Sequence, residues 1–146
     1  MRKGYVLASL LLGILSFHSA VAQTITGDSI VESLSASPGD AVRGRAIVAS
    51  RQTGLCLLCH SGPFPEERFQ GNLAPELTIS AGRLTAPQLR ARIVDASRFN
   101  PGTIMPSYYK ADHLVRVAPK FAGQPILNGQ EIEDVVAFLV SLNNTK

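Results

Sequence analysis

The sequence predicts an all-α domain of about three principal helices joined by long loops. Three segments carry helix signals, in which a capping residue precedes apolar positions that recur at helical spacing. The segments between them are rich in glycine and proline and follow neither a helical nor a two-residue period. No alternating run of apolar and polar residues is long enough to indicate a strand.

The first helix is predicted to run from Ala41 to Arg51, with Asp40 as its N-cap. Gly44 lies on the same face as Ile47 and Val48. A glycine inside a helix costs about 1 kcal/mol relative to alanine. Its presence therefore indicates that another helix approaches closely at Gly44.

The second helix is predicted to begin at Thr85, which can form a capping box with Gln88, and to end before Asn100-Pro101-Gly102. The third begins at Asn128, which pairs in the same way with Glu131, and ends near residue 143. The buried faces follow from the apolar spacing. They comprise Leu89, Ile93 and Ala96 in the second helix, and Ile132, Val135, Val136 and Leu139 in the third.

Residues 61–84 are predicted to form one long loop, and a second irregular region extends to residue 127. Structureless segments of this length are uncommon in compact domains unless they are functional. We therefore expect something other than regular secondary structure to provide the surface on which they pack.

The N-terminus predicts export. Arg2 and Lys3 precede the apolar stretch 6–17, and Ala20-Val21-Ala22 has the small-residue pattern of a cleavage site. The alternative is an uncleaved anchor, but about 12 apolar residues fall short of the roughly 20 that a membrane-spanning helix needs. The predicted organisation is a signal peptide over 1–22, a flexible leader over 23–38 and one domain over 39–146.

The formal net charge is +3, and two of the basic residues belong to the predicted signal peptide. No concentrated basic stripe indicates a nucleic-acid binder. Arg43, Arg90 and Arg98 are scattered along the chain, and their simplest interpretation is that they lie on solvated faces.

Cys56, Cys59 and His60 form a Cys-x-x-Cys-His motif that contains both cysteines of the chain. This spacing attaches a c-type haem, because two thiols add to the vinyl groups and the next residue supplies the proximal imidazole. Small exported domains usually carry several disulfides. A bridge across two intervening residues would stabilise the chain little, so haem attachment is the favoured interpretation.

Three other interpretations compete with haem attachment. A thioredoxin-like dithiol would follow a strand and open a helix, and no such pattern surrounds the motif. A zinc site could combine Cys56, Cys59, His60 and His113, although the adjacent Cys59 and His60 side chains diverge. An incidental disulfide beside an unrelated histidine is the third.

The second axial ligand of such a haem can be sought by elimination. Without the signal peptide, Met105 is the only methionine, and His113 is the only histidine besides His60. Pro106 biases Met105 towards an extended backbone, as suits a ligand that projects from a loop. A thioether ligand raises the reduction potential. Met105 is the favoured candidate, and His113 is the alternative.

The other ring nitrogen of His60 needs a hydrogen-bond acceptor. Pro75 is our candidate, because its fixed φ and missing N–H make it a stiff place to hold a carbonyl. A haem would also supply the core that the loops lack. The apolar residues predicted to surround it are Phe64, Leu73, Leu77, Ile104, Tyr108 and Phe121.

These features together resemble a class I cytochrome c, and more specifically the SoxX family, the monohaem subunits of the SoxXA cytochromes of bacterial thiosulfate oxidation. The resemblance extends over about residues 40 to 143. The stretches that carry it are Gly54–Gly71, Leu89–Ser97, Ile104–Tyr109, Ile126–Leu127 and Glu131–Val136.

The resemblance implies one covalently attached haem c, with thioether bonds at Cys56 and Cys59 and axial ligands at His60 and Met105. It implies a periplasmic heterodimer with SoxA, a larger cytochrome that carries the active-site haem. There thiosulfate is coupled oxidatively to a cysteine of the SoxYZ carrier, in an L-cysteine S-thiosulfotransferase reaction. This chain would contribute no catalytic residue and would pass electrons from SoxA to a downstream cytochrome or oxidase.

Two other functions remain open from the sequence. A free-standing periplasmic cytochrome that shuttles electrons would have the same haem site and differ only in its partners. A periplasmic Cys-x-x-Cys dithiol oxidoreductase would exchange disulfides and lack visible absorption.

Overall fold

The computed structural model describes residues 25–112 and 117–145. The predicted signal peptide and His113 lie outside the described residues. The described part of the chain contains four α-helices, α1 (Ala41–Ala49), α2 (Leu77–Ala81), α3 (Ala86–Asp95) and α4 (Gly129–Ser141). Its shorter 3₁₀ turns are Cys56–Leu58, Ala96–Arg98, Pro119–Phe121 and Leu142–Thr145.

The all-α class is confirmed, since the described residues hold no strand beyond an isolated bridge between Thr26 and Ser29. None of the helices described is both long and apolar enough to cross a membrane.

The helix starts are those that the capping residues predicted. The Asp40 carboxylate accepts hydrogen bonds from the backbone N–H groups of Val42 (2.8 Å) and Arg43 (2.9 Å). At α4, Asn128 accepts from the Glu131 N–H at 3.0 Å while Glu131 accepts from the Asn128 N–H at 2.8 Å. Helix α3 also begins with its predicted capping box. These bonds satisfy N–H groups that a helix start leaves unpaired.

The predicted loop over 61–84 was wrong in one part, because it contains helix α2. This helix has only five residues, two of them the β-branched Thr78 and Ile79, and so carries little propensity signal. Leu77 and Ala81 are buried, and α2 contacts α4. Tertiary packing therefore stabilises a turn that local sequence does not predict.

Helices α1 and α4 cross in direct backbone contact at Gly44. A Cβ atom built on Gly44 would lie 1.9 Å from the backbone oxygen of Asp134, which is far inside van der Waals contact. The close approach predicted from Gly44 is confirmed. The main apolar core packs around this crossing and against α3. Its fully buried members include Val48, Leu57, Phe64, Ala91, Leu127 and Ile132.

The described part of the leader, residues 25–38, is packed against the domain and not loosely held as the sequence predicted. Ile30 is fully buried, and its N–H donates to the Pro87 carbonyl at 3.1 Å. The Leu34 N–H donates to Oε1 of Glu133 at 2.9 Å. The polar composition of this segment concealed the few apolar residues, among them Ile30 and Leu34, and the backbone groups through which it is held.

Arg90 is not on a solvated face, which corrects the prediction from its position in the sequence. Only 8% of it is exposed, and its Nε and Nη2 donate to the two carboxylate oxygens of Glu133 at 2.6 and 2.8 Å. Its Nη1 donates to the Ile30 carbonyl at 2.7 Å. Burial alone would raise the pKa of Glu133, but the bonds from Arg90 and from the Leu34 N–H lower it. One buried ion pair thus joins α3, α4 and the leader.

A second carboxylate, Asp134, organises the start of α1. It accepts hydrogen bonds from Arg43 Nε (2.7 Å), the Asp40 N–H (2.8 Å) and Gln130 Nε2 (2.9 Å). The Arg43 guanidinium is the main cause that lowers the pKa of Asp134 to about 2. Arg43 is therefore paired, even though 56% of its side chain is exposed. Arg43 and Arg98 are both exposed as predicted, and Arg90 alone of the three arginines is buried.

Replacing Gly44 by alanine should destabilise the folded protein by about 3 kcal/mol, because the new Cβ would force the α1 and α4 backbones apart. Urea unfolding followed by circular dichroism measures the change. Gly102→Ala is the matched control, since its Cβ would meet its nearest neighbour at 3.5 Å, an ordinary contact. Equal stabilities for the two variants would contradict the tight crossing.

Asp134 should make the stability depend on pH in the acid range. Its folded-state pKa of about 2 lies below the ordinary value of 3.8, so its contribution is complete above about pH 4 and is lost as the pH falls towards 2. The stability difference between wild type and Asp134→Asn should therefore shrink over this interval in urea titrations.

Glu32→Gln serves as the control for this pH experiment, because Glu32 is an exposed carboxylate and its removal changes the net charge equally. A wild-type advantage over Asp134→Asn that is the same at pH 2 and pH 5 would contradict the assignment.

Candidate functional site

The Cys-x-x-Cys-His motif lies on a tight turn directly after α1. Leu55 has a left-handed backbone with φ of 60°, an unusual conformation for a branched residue, and it starts the 3₁₀ turn Cys56–Leu58. The N–H groups of Cys59 and His60 both donate to the Cys56 carbonyl, at 3.1 and 2.9 Å. The turn places both thiols and the imidazole at the wall of one cavity. Nothing in the sequence reasoning pointed to Leu55.

The cavity has a volume of about 590 Å³ and a mainly apolar wall. The Cys-His turn forms one side of it, and the loop segments 73–75 and 100–106 contribute much of the rest. The helices add apolar side chains from their buried faces. These are Val48 from α1, Ile93 from α3, and Val135 and Leu139 from α4.

Pro75 holds the imidazole in place. Its carbonyl oxygen lies 2.6 Å from Nδ1 of His60, which is the contact that the sequence reasoning anticipated for this residue. The short distance fits an Nδ1–H that donates to the carbonyl. This leaves Nε2 as the ring nitrogen that can bind a metal.

Met105 lines the same cavity as His60. It lies in the loop after the Ala96–Arg98 turn, where its N–H donates to Oγ1 of Thr103 at 3.1 Å. The loop is anchored to α3 just beyond, since the Tyr108 N–H donates to the Ile93 carbonyl at 3.1 Å. The structure thus brings the favoured ligand candidate to the cavity. The alternative, His113, lies outside the described residues.

The environment of the thiols disfavours a dithiol oxidoreductase. Burial raises the pKa of the Cys56 thiol to about 11, whereas the attacking cysteine of such an enzyme has a lowered pKa. The Cys56 Sγ donates to the Gly54 carbonyl at 3.3 Å, and the Tyr108 hydroxyl donates to the same oxygen at 2.6 Å. Cys56 and Cys59 are both free. The motif also follows helix α1 instead of a strand.

The zinc interpretation gains no support within the described ranges 25–112 and 117–145. They contain no group of three or more histidine, cysteine, aspartate or glutamate side chains that could hold a metal ion.

Four of the six apolar residues predicted to surround a cofactor line the cavity, namely Leu73, Leu77, Ile104 and Tyr108. The other two do not. Phe64 is buried against Phe138 of α4, with ring centroids 5.6 Å apart, and so belongs to the core behind the cavity. Phe121 is 55% exposed. Composition identified apolar loop residues, but the turns between them decide which way each one faces.

Comparison with known proteins identifies a structural relative. No protein-family model matches the chain, and no curated protein matches it. A chain in the crystal structure of SoxXA from P. pantotrophus matches with a TM-score of 0.73 and 39% sequence identity, over 80% of this chain and 90% of that chain.

This chain belongs to the SoxX family. The fold is accordingly a class I cytochrome c-like domain, in which α1, α3 and α4 are the three principal helices. This part of the sequence-based interpretation is confirmed, and the chain is a SoxX-type cytochrome subunit.

The residues of the cavity fit a haem. The wall is apolar, and it carries a thiol pair, an imidazole with Nε2 available and a thioether. The cavity volume of about 590 Å³ is in the range of small-molecule and cofactor sites. A haem, a flat and mainly apolar ring with a central iron, would account for both the volume of the cavity and its thiol, imidazole and thioether groups.

Proposed function

We propose that this chain is the electron-transfer subunit of a SoxXA complex and carries one haem c. The observation that carries the proposal is the cavity that brings Cys56, Cys59, His60 and Met105 together in a chain of SoxX type. The thiols of Cys56 and Cys59 would hold the haem covalently. His60 and Met105 would supply an imidazole and a thioether donor to its iron.

When bound, the haem supplies a one-electron redox centre. Pro75 fixes the ring of His60 and strengthens it as a donor through the bond at Nδ1. A thioether donor from Met105 would favour the reduced state and so would raise the reduction potential. The apolar side chains of the wall limit access of water. With His60 and Met105 both holding the haem, the site would suit electron transfer and would offer no position for a substrate.

The proposed role lies within thiosulfate oxidation. SoxXA would couple thiosulfate oxidatively to a cysteine of the SoxYZ carrier, with the catalytic site on SoxA, and this chain would pass the electrons to a downstream cytochrome or oxidase. The match to a SoxXA structure supports SoxA as the partner. The chain has two cysteines, both at the wall of the cavity, and so no third thiol for sulfur chemistry.

We further propose that the protein acts in the periplasm after removal of residues 1–22. The basic, apolar and small-residue order of this segment supports export. Residues 23–38 would then form the N-terminal segment of the exported protein, and residues 39–146 the cytochrome domain.

Met105→Ala should leave the haem attached but remove one axial ligand. The reduced and oxidised absorption spectra should then change from six-coordinate His/Met to an open or water-bound form, and the reduction potential should fall. Intact mass should still equal the chain without residues 1–22 plus one haem.

His113→Ala is the control for Met105→Ala, because it removes the alternative ligand and should leave the spectrum unaltered. The reverse result, a spectrum that responds to His113→Ala and not to Met105→Ala, would show that the wrong ligand was assigned.

The partner can be tested with the exported protein directly. The chain should purify as a heterodimer with a larger cytochrome, and thiosulfate together with SoxYZ should reduce its haem only while the two subunits remain associated. A chain that purifies alone and exchanges electrons normally with an oxidase would instead identify a free-standing shuttle.

A further inference from the structure

A second cavity of about 350 Å³ adjoins the first. The two cavities share five lining residues, which are His60, Leu77, Ile93, Met105 and Leu139. The second one lies between α2 and α3, and its other lining residues are Ser80, Arg83, Leu84, Leu89 and Arg92. Both proposed iron ligands, His60 and Met105, line both cavities. A flat cofactor held between these two side chains would therefore extend from the first cavity into the second.

The charged groups of the two cavities are unevenly placed. No lysine, arginine, aspartate or glutamate is among the described residues that line the first cavity, which contains both cysteines. Arg83 and Arg92 line the second cavity, and no aspartate or glutamate is among the described residues that line it. The combined space therefore has its thiols in one part and two guanidinium groups in the other.

This arrangement matches the two edges of a haem. The vinyl groups that cysteines attach lie on one side of the porphyrin, and the two propionate carboxylates lie on the opposite side. A carboxylate that enters a mainly apolar site is costly to desolvate unless a cation pairs with it. Arginine is well suited to this pairing, because its planar guanidinium binds a carboxylate through two parallel hydrogen bonds.

We propose that Arg83 and Arg92 form the site for the haem propionates in this chain. The inference rests on the proposed function, because it presupposes a haem attached at Cys56 and Cys59. It sets the orientation of the ring, with the propionate edge towards the gap between α2 and α3. It also assigns a role to two arginines that the electron-transfer proposal leaves unused.

Arg92 is held in position by its surroundings. Its Nη1 donates to the Gln88 carbonyl at 3.2 Å, and its guanidinium lies 4.8 Å from the centroid of the Phe99 ring. Asp28 of the leader approaches Nη2 at 3.8 Å, a loose ion pair. A guanidinium has five N–H donors, so these contacts orient Arg92 and leave donors for a carboxylate. The leader thus contributes to placing this charge.

Arg83 follows α2 directly, after its C-cap residue Gly82. The chain turns at this point, and the Leu84 N–H donates to the Ala81 carbonyl at 3.1 Å. Arg83 and Arg92 therefore reach the second cavity from different elements, the end of α2 and the body of α3. Two cations on separate elements suit the two carboxylates of one porphyrin edge.

The electrostatic consequence can be measured. Positive charge beside the propionates offsets their negative charge and favours the ferrous over the ferric iron. Arg83→Gln and Arg92→Gln should therefore each lower the reduction potential of the haem-loaded, exported protein in potentiometric titrations. Arg83→Lys keeps the positive charge, so the reduction potential of this variant should stay close to that of the wild type. The propionate bending bands in resonance Raman spectra should shift in both glutamine variants.

Arg68→Gln is the matched control, because Arg68 is exposed, lines neither cavity and carries the same charge. It should change neither the potential nor the propionate bands. The inference is overturned if Arg83→Gln and Arg92→Gln match Arg68→Gln in both measurements while the haem keeps its His/Met spectrum. It is also overturned if Arg83→Lys lowers the potential as much as Arg83→Gln, since a charge effect would then be absent.

Failure of the inference is distinguishable from failure of the proposed function. A colourless wild-type protein with the mass of the bare polypeptide would overturn the haem assignment and, with it, the propionate site. A haem-loaded protein whose potential ignores both arginines would overturn only the propionate site.

Discussion

The α1 and α4 backbones are in contact at Gly44, and the core and the candidate site are arranged around this contact. It fixes the position of α1 against α4, and the turn with Cys56, Cys59 and His60 begins only a few residues after α1 ends. The opposite helix presents Val135 and Leu139 to the cavity. A change in the distance between these helices would therefore move the thiol-bearing wall relative to the apolar wall. The crossing builds the site as well as the core.

Buried charge holds together what the apolar core does not reach. Glu133 and Asp134 are neighbours at the N-terminal end of α4, yet Glu133 binds Arg90 and the leader, whereas Asp134 binds Arg43 and the start of α1. Each carboxylate would be costly to bury alone. With their partners they fasten three separate segments to one helix, and through Asp28 the fastened leader reaches Arg92.

The candidate site combines rigid and adaptable parts. Helices supply the apolar wall, while His60 and Met105 both come from loops that hydrogen bonds hold in place. Long loops are a weakness in a small domain, because they bury few apolar groups of their own. A haem would give them a common surface to pack on. Binding of the cofactor in the cavity of about 590 Å³ would therefore also stabilise the loops.

Local sequence patterns were enough to predict the features that depend on neighbouring residues. The caps at Asp40, Thr85 and Asn128, the close approach at Gly44 and the Cys-His spacing are all patterns within a few positions. Tertiary structure alone decided helix α2, the direction of the Phe64 side chain, the packing of the leader and the burial of Arg90. The physical reason is distance along the chain, since the Arg90–Glu133 pair joins residues 43 positions apart. Only folding brings such partners together.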